Sequence, residues 1–188
     1  MIHPLTPARW PDLEALFETA SATRNCWCMW WRIAGNAWRD TNKASRKADM
    51  HRIAHSDRPA GLIAYDGDKP VGWVQITPRL DVPRFNNGRV AKPAKAADLA
   101  ADWAMTCFFI AASHRGQGLM EKLSRAGCRF AVSHGASTVD ASAHMPDGPL
   151  KFSDGYTGLV PALLKAGFRE TDRKQGKRVL MRWTSSTT

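Results

Sequence analysis

The feature that most constrains the fold is an apolar strand that leads through a glycine-containing turn into an amphipathic helix. Residues 105–111 are apolar on both faces, as expected for a strand in the centre of a sheet. From about residue 116 to residue 134, apolar residues recur at helical spacing. The predicted buried stripe of this helix consists of Leu119, Leu123, Ala126 and Phe130.

The turn at residues 114–120 (His-Arg-Gly-Gln-Gly-Leu-Met) has the composition of an anion-binding site. Glycines let the backbone approach a ligand closely, and the N–H groups of a first helical turn have no partner inside the helix. The helix dipole and the forked donors of Arg115 both favour phosphate. The turn therefore favours a pyrophosphate site. The alternative is that Gly116 and Gly118 only permit a sharp turn.

Two other phosphate-binding motifs are excluded. A P-loop would need Lys followed by Ser or Thr after the glycines, and the sequence has none there. A dinucleotide-binding fingerprint would need a third glycine and an acidic residue about 20 positions further on.

The remaining pattern predicts a hairpin and several shorter elements. Strands at residues 61–65 and 71–76 flank a turn of Asp, Gly, Asp and Lys. Further helices are predicted at 6–20, 43–55, 95–101 and 156–166, further strands at 137–143, 168–172 and 178–183, and a frayed tail at 184–188.

The composition indicates one folded domain. The chain has 188 residues, of which 44% are hydrophobic and 23% charged, enough to bury a core. No stretch approaches the roughly 20 apolar residues of a membrane helix, and we see no secretory signal. Cys26, Cys28, Cys107 and Cys128 fit neither a CxxC pair nor a zinc knuckle, so we expect free thiols, no metal and a cytoplasmic location.

The net charge of +10 predicts attraction to anions. The basic residues are scattered rather than clustered, which fits general solubility charge plus one site for an anionic ligand. They do not interleave with aromatic residues along one surface, as a stacking platform for nucleic acid requires. Nucleic acid is therefore the weakest candidate partner.

The turn resembles the hallmark of the GNAT superfamily of acyl-coenzyme A-dependent N-acyltransferases, Gln/Arg-x-x-Gly-x-Gly/Ala directly after a central strand. The match is at Arg115 and Gly118, while Met120 stands where the family prefers a small residue. The predicted hairpin and the turn at residues 166–168 (Ala-Gly-Phe) are also similar to the family. The segment at 26–32 (Cys-Trp-Cys-Met-Trp-Trp-Arg) resembles a bacterial subgroup.

This resemblance covers about residues 1–183 and implies one GNAT-like domain of α/β (α+β) class. The expected architecture is a central mixed, largely antiparallel twisted sheet of six or seven strands flanked by about four helices. We expect a monomer or a homodimer.

The resemblance also implies how acetyl-coenzyme A would be bound and used. Backbone groups of Phe108, Phe109 and Ile110 would bond to the pantetheine arm in the manner of an extra strand. The pyrophosphate would be held by Arg115, Gly116, Gln117, Gly118, Leu119 and Met120. The thioester would lie where this strand and the strand at 137–143 splay apart, and the acetyl group would pass to a primary amine, expected to belong to a small molecule.

The basic stripe Lys122, Arg125 and Arg129 follows the turn on the predicted helix. It fits a solvated helix face. The alternative is contact with the 3′-phosphate of coenzyme A.

Three residues are candidates for the proton transfers of amine acetylation. The family often protonates the leaving thiolate with a tyrosine five residues before the phenylalanine of its Gly-Phe turn, and Leu163 takes that position here. Tyr156, about two helical turns earlier, could substitute. His144 could act as base or acid, and Asp140 could act through a water. Each could instead be structural. A mechanism with no dedicated acid is a further alternative, because an oriented thioester and ordered water can supply much of the rate.

The tryptophan-rich segment between the first two predicted helices has two interpretations. By the resemblance, Trp27, Trp30, Trp31 and Arg32 would form an aromatic wall of the acceptor site, through stacking and cation–π contact. Alternatively, these tryptophans are core residues.

The sequence is also consistent with two alternative functions. The acceptor could be a protein amine rather than a small molecule. A non-catalytic acyl-coenzyme A sensor is the competing hypothesis, and it is favoured by the residues Leu163 and Met120.

Overall fold

The computed structural model describes residues 1–93, 99–151 and 154–185. Its strands are β1 (Ile2–Pro4), β2 (Gly61–Asp66), β3 (Lys69–Pro78), β4 (Asp102–Ile110), β5 (Thr138–His144), β6 (Arg169–Gln175) and β7 (Arg178–Thr184). All seven belong to one sheet with the order β1-β2-β3-β4-β5-β7-β6. The expected fold class and the sheet of six or seven strands are confirmed.

Six α-helices occur in the described part of the chain, against about four expected. They are α1 (Trp10–Glu18), α2 (Ser21–Cys26), α3 (Lys43–Ala54), α4 (Pro83–Asn86), α5 (Leu119–Ser133) and α6 (Val160–Lys165). Short 3-10 helices lie at Pro7–Arg9, Gly35–Asp40, Arg79–Asp81, Ala112–His114 and Asp154–Thr157. The excess arises from α2 and α4, which have six and four residues and are too short to show helical periodicity.

The sheet is antiparallel at every pair of neighbours except β4 and β5, which run parallel. These two strands pair over three residues at their start, from Asp102 opposite Thr138 to Ala104 opposite Asp140. β4 continues to Ile110 and β5 to His144, but the two strands form no further pairs with each other. They therefore separate towards their carboxyl ends. The splay that the resemblance implied is therefore present.

Two apolar clusters pack on opposite faces of the sheet. Consecutive residues of a strand point to opposite faces, so Phe108 joins the cluster under α5 and α6, while Phe109 joins the cluster under α1 and α3. Burying an aromatic side chain fully stabilises the fold by about 1.5–3 kcal/mol. Both rings are buried, and they fix β4 between the two layers.

Several element boundaries differ from the prediction. Helix α5 begins at Leu119 rather than near residue 116, because Gly116 and Gly118 have φ of 72° and 74°, outside the helical region. The helix predicted at 156–166 is a 3-10 helix at Asp154–Thr157 followed by α6. Strand β1 and helix α2 had no recognisable pattern and were missed.

Two predictions fall partly outside the described residues. Of the helix predicted at 95–101, residues 95–98 lie outside the described residues. The frayed tail was predicted to begin at Thr184, but this residue ends β7 opposite Thr138, and Ser185 N donates to Ser137 O at 2.9 Å. Residues 186–188 lie outside the described part.

Among the residues described, no helix is both long enough and apolar enough to cross a membrane.

Candidate active site

A cleft of about 540 Å³ lies beside the start of α5, where β4 separates from β5. Its walls come from the end of β4, the turn before α5, and the chain around the 3-10 helix Asp154–Thr157 and α6. Eight of the nine predicted cofactor residues line it, namely Phe108, Phe109, Ile110, Arg115, Gly116, Gly118, Leu119 and Met120. Gln117 does not line it, since its Nε2 donates to Ser113 O at 2.8 Å.

The turn before α5 presents backbone donors. None of the described residues accepts a hydrogen bond from the N–H groups of residues 116–120. Gly116 and Gly118 adopt left-handed φ angles, which glycine tolerates at little cost. A Cβ at either glycine would meet nothing within 4 Å, so the space in front of them is open. At the N-terminus of the 15-residue α5, this arrangement suits an anion.

Positive charge surrounds the cleft. Arg115 lines it and is held by its Nε, which donates to Ile110 O at 3.0 Å. Lys151 and Lys165 also line it. Glu121, the acidic residue of the lining, has Oε1 3.1 Å from Arg125 Nε, so its charge is compensated. The cleft is thus suited to a phosphorylated ligand.

The free edge of β4 faces the same space. Ala111 N donates to Val71 O at 2.9 Å, which directs this amide towards β3. Polar groups of successive strand residues alternate between the two edges. The backbone N–H and C=O groups of Ile110 and Phe108 therefore point towards the gap left by β5. Ile110 O accepts a hydrogen bond from Arg115 Nε there. An extended amide-bearing ligand arm could pair with this edge.

Tyr156 is the predicted catalytic residue that the structure brings to the cleft. It lies in the 3-10 helix Asp154–Thr157, lines the cleft, and packs against the cluster that contains Phe109. Burial raises the pKa of Tyr156 above its usual value, while Arg115 opposes the shift. Leu163, at the family's usual tyrosine position, is fully buried in the core.

His144 is not among the residues that line the cleft. It is buried at the end of β5, where its backbone N–H donates to Gly158 O at 2.9 Å. Its Nε2 lies 3.6 Å from Asp154 Oδ2. His144 thus contacts both ends of the segment that carries Tyr156, and its acid or base role stays a prediction.

Asp140 lies away from the cleft, which is not the position that its predicted role at the thioester requires. Its side chain is fully buried and accepts from Arg79 Nη1 at 2.6 Å. Arg182 donates to the same carboxylate from Nε at 2.7 Å and Nη2 at 2.8 Å. Both oxygens are occupied by guanidinium groups, and Asp140 does not line the cleft. The carboxylate is part of an ion cluster that supports the fold.

Of the predicted acceptor wall, Trp27 is a core residue. Its side chain is fully buried, stacks on Trp10 and contacts Phe17. Its backbone is left-handed, with φ of 50° and ψ of 30°, and caps α2. No face of the Trp27 ring is open, which favours the core interpretation over a substrate contact.

The other members of the predicted wall lie further along this segment. Trp30 is 39% exposed, with the Arg84 guanidinium 3.9 Å from its ring centroid. Trp31 packs edge-on against Phe85 at 6.0 Å between ring centroids. Arg32 is buried with its Nη1 3.7 Å from Asp81 Oδ2, and burial lowers its pKa to about 10. None of the three lines the β4–α5 cleft.

Met120, the departure from the family hallmark, has a structural role that the sequence did not reveal. Its Sδ lies 3.3 Å from Leu159 N, so the thioether joins the first turn of α5 to the chain after the 3-10 helix Asp154–Thr157. A small residue there would lose this contact.

The basic stripe on α5 does not face the cleft as a unit. Arg125 pairs with Glu121 and also donates to Lys165 O. Lys122 and Arg129 instead line a separate depression of about 530 Å³ beside β1 and β2. The solvated interpretation fits these positions better than shared contact with one phosphate.

Comparison with known proteins agrees with this geometry. The sequence profile described as the acetyltransferase (GNAT) family matches residues 23–148. No curated protein sequence matches the chain significantly.

Solved structures share the fold at low sequence identity. The GNAT domain of S. lividans PAT is 18% identical, with a TM-score of 0.58 and coverage of 98% of this chain and 89% of that one. Aminoglycoside acetyltransferase AAC(6')-Ib, solved with coenzyme A and kanamycin, is 16% identical, with a TM-score of 0.55 and coverage of 98% and 94%. Ribosomal-protein-alanine N-acetyltransferase from Brucella melitensis is 14% identical, with a TM-score of 0.56 and coverage of 98% and 99%.

The profile spans more than half of the chain, and the fold and the anion-binding turn agree with it. The chain therefore belongs to the acetyltransferase (GNAT) family of acetyl-coenzyme A-dependent N-acetyltransferases and is an enzyme of that class.

Proposed function

We propose that this enzyme moves the acetyl group of acetyl-coenzyme A to a primary amine of a small molecule, by direct attack in a ternary complex. The observation that carries the proposal is the set of amides at residues 116–120 with no acceptor among the described residues, next to the unpaired edge of β4. Both face one cleft. A ligand with a pyrophosphate and an amide-bearing arm complements both.

The chain's own groups supply binding and orientation. The amides at 116–120 and Arg115 would hold the pyrophosphate, and the backbone of Phe108 and Ile110 would hold the arm. An unprotonated amine then attacks the thioester carbonyl. The C–N bond forms, the C–S bond breaks, and the amine nitrogen loses a proton to solvent. Holding both reactants in place supplies much of the rate.

Tyr156 is the proposed donor of the proton that the leaving thiolate takes up. It lines the cleft, and the other tyrosine of the chain, Tyr65, does not. Because burial raises its pKa above the usual value near 10, Tyr156 keeps its proton at neutral pH and can give it to the thiolate. His144 and Asp154 position the segment that carries it.

The charges behind the tryptophan segment favour one kind of acceptor over a polycation. This acceptor carries no positive charge besides its amine, or it also carries an acidic group. Asp81 is already paired with Arg58 and accepts from Thr77 Oγ1 at 3.0 Å. Arg32 Nη2 is buried and has no partner in the described part of the chain. A polycation would need unpaired carboxylates to offset its desolvation, and this region offers excess positive charge instead.

We also infer a cytoplasmic enzyme whose residues 1–183 act as one domain. All four cysteines are free thiols, which fits a reducing compartment. The two apolar clusters share the strands β3 and β4, which supports one cooperative unit.

The test is a thiol-release assay with acetyl-coenzyme A and a panel of amines. The panel contains neutral amines, amino acids, the polycation kanamycin and a peptide with a free N-terminus. We expect turnover with neutral or acidic small amines and little with kanamycin or the peptide. Saturable coenzyme A binding without turnover of any amine would contradict catalysis, and turnover of the peptide alone would contradict a small-molecule acceptor.

A further inference from the structure

Two cysteines that are 79 positions apart in the chain meet between the tryptophan segment and the strand that lines the cleft. Cys28 Sγ lies 3.1 Å from Cys107 Sγ. Cys28 is in the turn after α2, and Cys107 is on β4 immediately before Phe108. A disulfide needs an S–S distance of about 2.05 Å, so the sulfurs must approach by about 1 Å.

The local backbone makes this approach feasible. Cys28 has φ of 54° and follows Trp27 with φ of 50°, both left-handed conformations that are strained for residues other than glycine. A strained turn can shift more readily than a central strand of the sheet. Cys107 can therefore stay in register opposite Gln75 while Cys28 moves.

We propose that Cys28 and Cys107 are a redox-sensitive pair, which a hydroperoxide converts to a disulfide that fastens the tryptophan segment to β4. Cys107 is the more exposed thiol of the two and reacts first. Its sulfur takes the terminal oxygen of ROOH, giving a sulfenic acid and ROH. Cys28 then attacks this sulfur, and the disulfide forms with release of water.

The order of these steps follows from burial. Burial raises the pKa of Cys28 well above its usual value, so this thiol keeps its proton and is a poor first nucleophile towards peroxide. It is in contact with the Cys107 sulfur, however, and proximity favours the second step. Burial also raises the pKa of Cys26 to about 11 and that of Cys128 to about 12, so both thiols keep their protons, although Cys26 is partly exposed like Cys107.

The disulfide would affect turnover by a defined route. It would fix the segment that carries Trp30 and Arg32 against β4, on the face opposite α5. The amides at residues 116–120 lie at the start of α5 and would not be disturbed. We expect oxidised enzyme to lose acetyl transfer while it keeps coenzyme A binding, an expectation that rests on the proposed function.

The test oxidises the whole protein with hydrogen peroxide and measures intact mass, free thiols after denaturation, and cross-linked peptides. The wild type should lose two of its four thiols and about 2 Da, reversibly with dithiothreitol. C26S and C128S should behave the same, while C28S should form no disulfide and C107S should retain its thiols. Unchanged wild-type thiols, or a cross-link that involves Cys26, would overturn the proposal.

The thiol readout separates this proposal from the proposed function. A disulfide between Cys28 and Cys107 in a protein that turns over no amine would support the pair and contradict the transferase proposal. An active enzyme whose thiols resist peroxide would support the transferase proposal and contradict the redox-sensitive pair. C26S serves as the control for a neighbouring thiol, because it leaves both sulfurs of the pair in place.

Discussion

Arg79 Nη1 lies 2.6 Å from Asp140 Oδ2, and both side chains are almost completely inaccessible to solvent. Arg182 supplies two further hydrogen bonds to the carboxylate, and Asn86 Oδ1 accepts from Arg79 Nε at 3.0 Å. The cluster joins β5 and β7 to the chain that follows β3. A buried charge of this kind persists only when its partners are in place.

Asp140→Ala should therefore destabilise the protein rather than remove a catalytic group. Removal of one partner from a buried ion pair typically costs about 3–5 kcal/mol in the free energy of unfolding. Asp66→Ala is the matched control, since Asp66 is 75% exposed and pairs with His114 at the surface, where about 0–1 kcal/mol is expected. Denaturant unfolding measures both. A folded D140A with wild-type stability and no turnover would show that the carboxylate acts in catalysis.

The two tryptophans Trp27 and Trp30 should respond differently to truncation. Trp27→Ala removes a fully buried ring and should cost about 3–5 kcal/mol of stability. Trp30 is 39% exposed, so Trp30→Ala should cost about 1 kcal/mol or less. If Trp30 belongs to the acceptor wall, W30A should raise the acceptor KM and leave the Kd of coenzyme A unchanged. An unaltered acceptor KM in W30A would remove Trp30 from the site.

These differences show what the sequence could and could not predict. The strand at 105–111 and the turn at 114–120 were readable because apolar runs and glycines report local conformation directly. The ion cluster of Asp140 could not be predicted, because its partners Arg79 and Arg182 are distant in sequence and only the fold brings them together. Likewise, all tryptophans of one segment look alike in sequence, whereas burial separates Trp27 from Trp30.

The contact between Met120 and Leu159 illustrates the same limit. A methionine in place of the small residue that the family prefers was one reason to consider a non-catalytic sensor. The structure gives it a partner 39 positions away, which no local pattern could indicate. The splay of β4 and β5 was available through the family resemblance alone, since strand pairing cannot be read from spacing.

Tyr156→Phe should lower kcat about 100-fold with little change in the Kd of coenzyme A, because it removes a proton donor but keeps the ring. In the wild type, kcat should fall at alkaline pH as Tyr156 loses its proton, and burial moves this fall above the usual tyrosine pKa near 10. Y156F should lack that fall. Tyr65→Phe is the control, since Tyr65 Oη donates to Asp12 Oδ2 at 2.7 Å, away from the cleft. Equal kcat in both variants would exclude Tyr156 as the acid.

The most direct test of the central claim is calorimetric titration of coenzyme A into the wild type, G118A and G135A. Gly118 and Gly135 have φ of 74° and 84°, and a Cβ at either meets nothing within 4 Å. Both alanines should therefore lower the free energy of unfolding by a similar amount, about 1–2 kcal/mol, through backbone strain. Gly118 alone borders the cleft, so G118A should weaken coenzyme A binding by about tenfold or more, while G135A binds like the wild type. Equal affinity of the two variants, or no binding by the wild type, would contradict a pyrophosphate site at the start of α5.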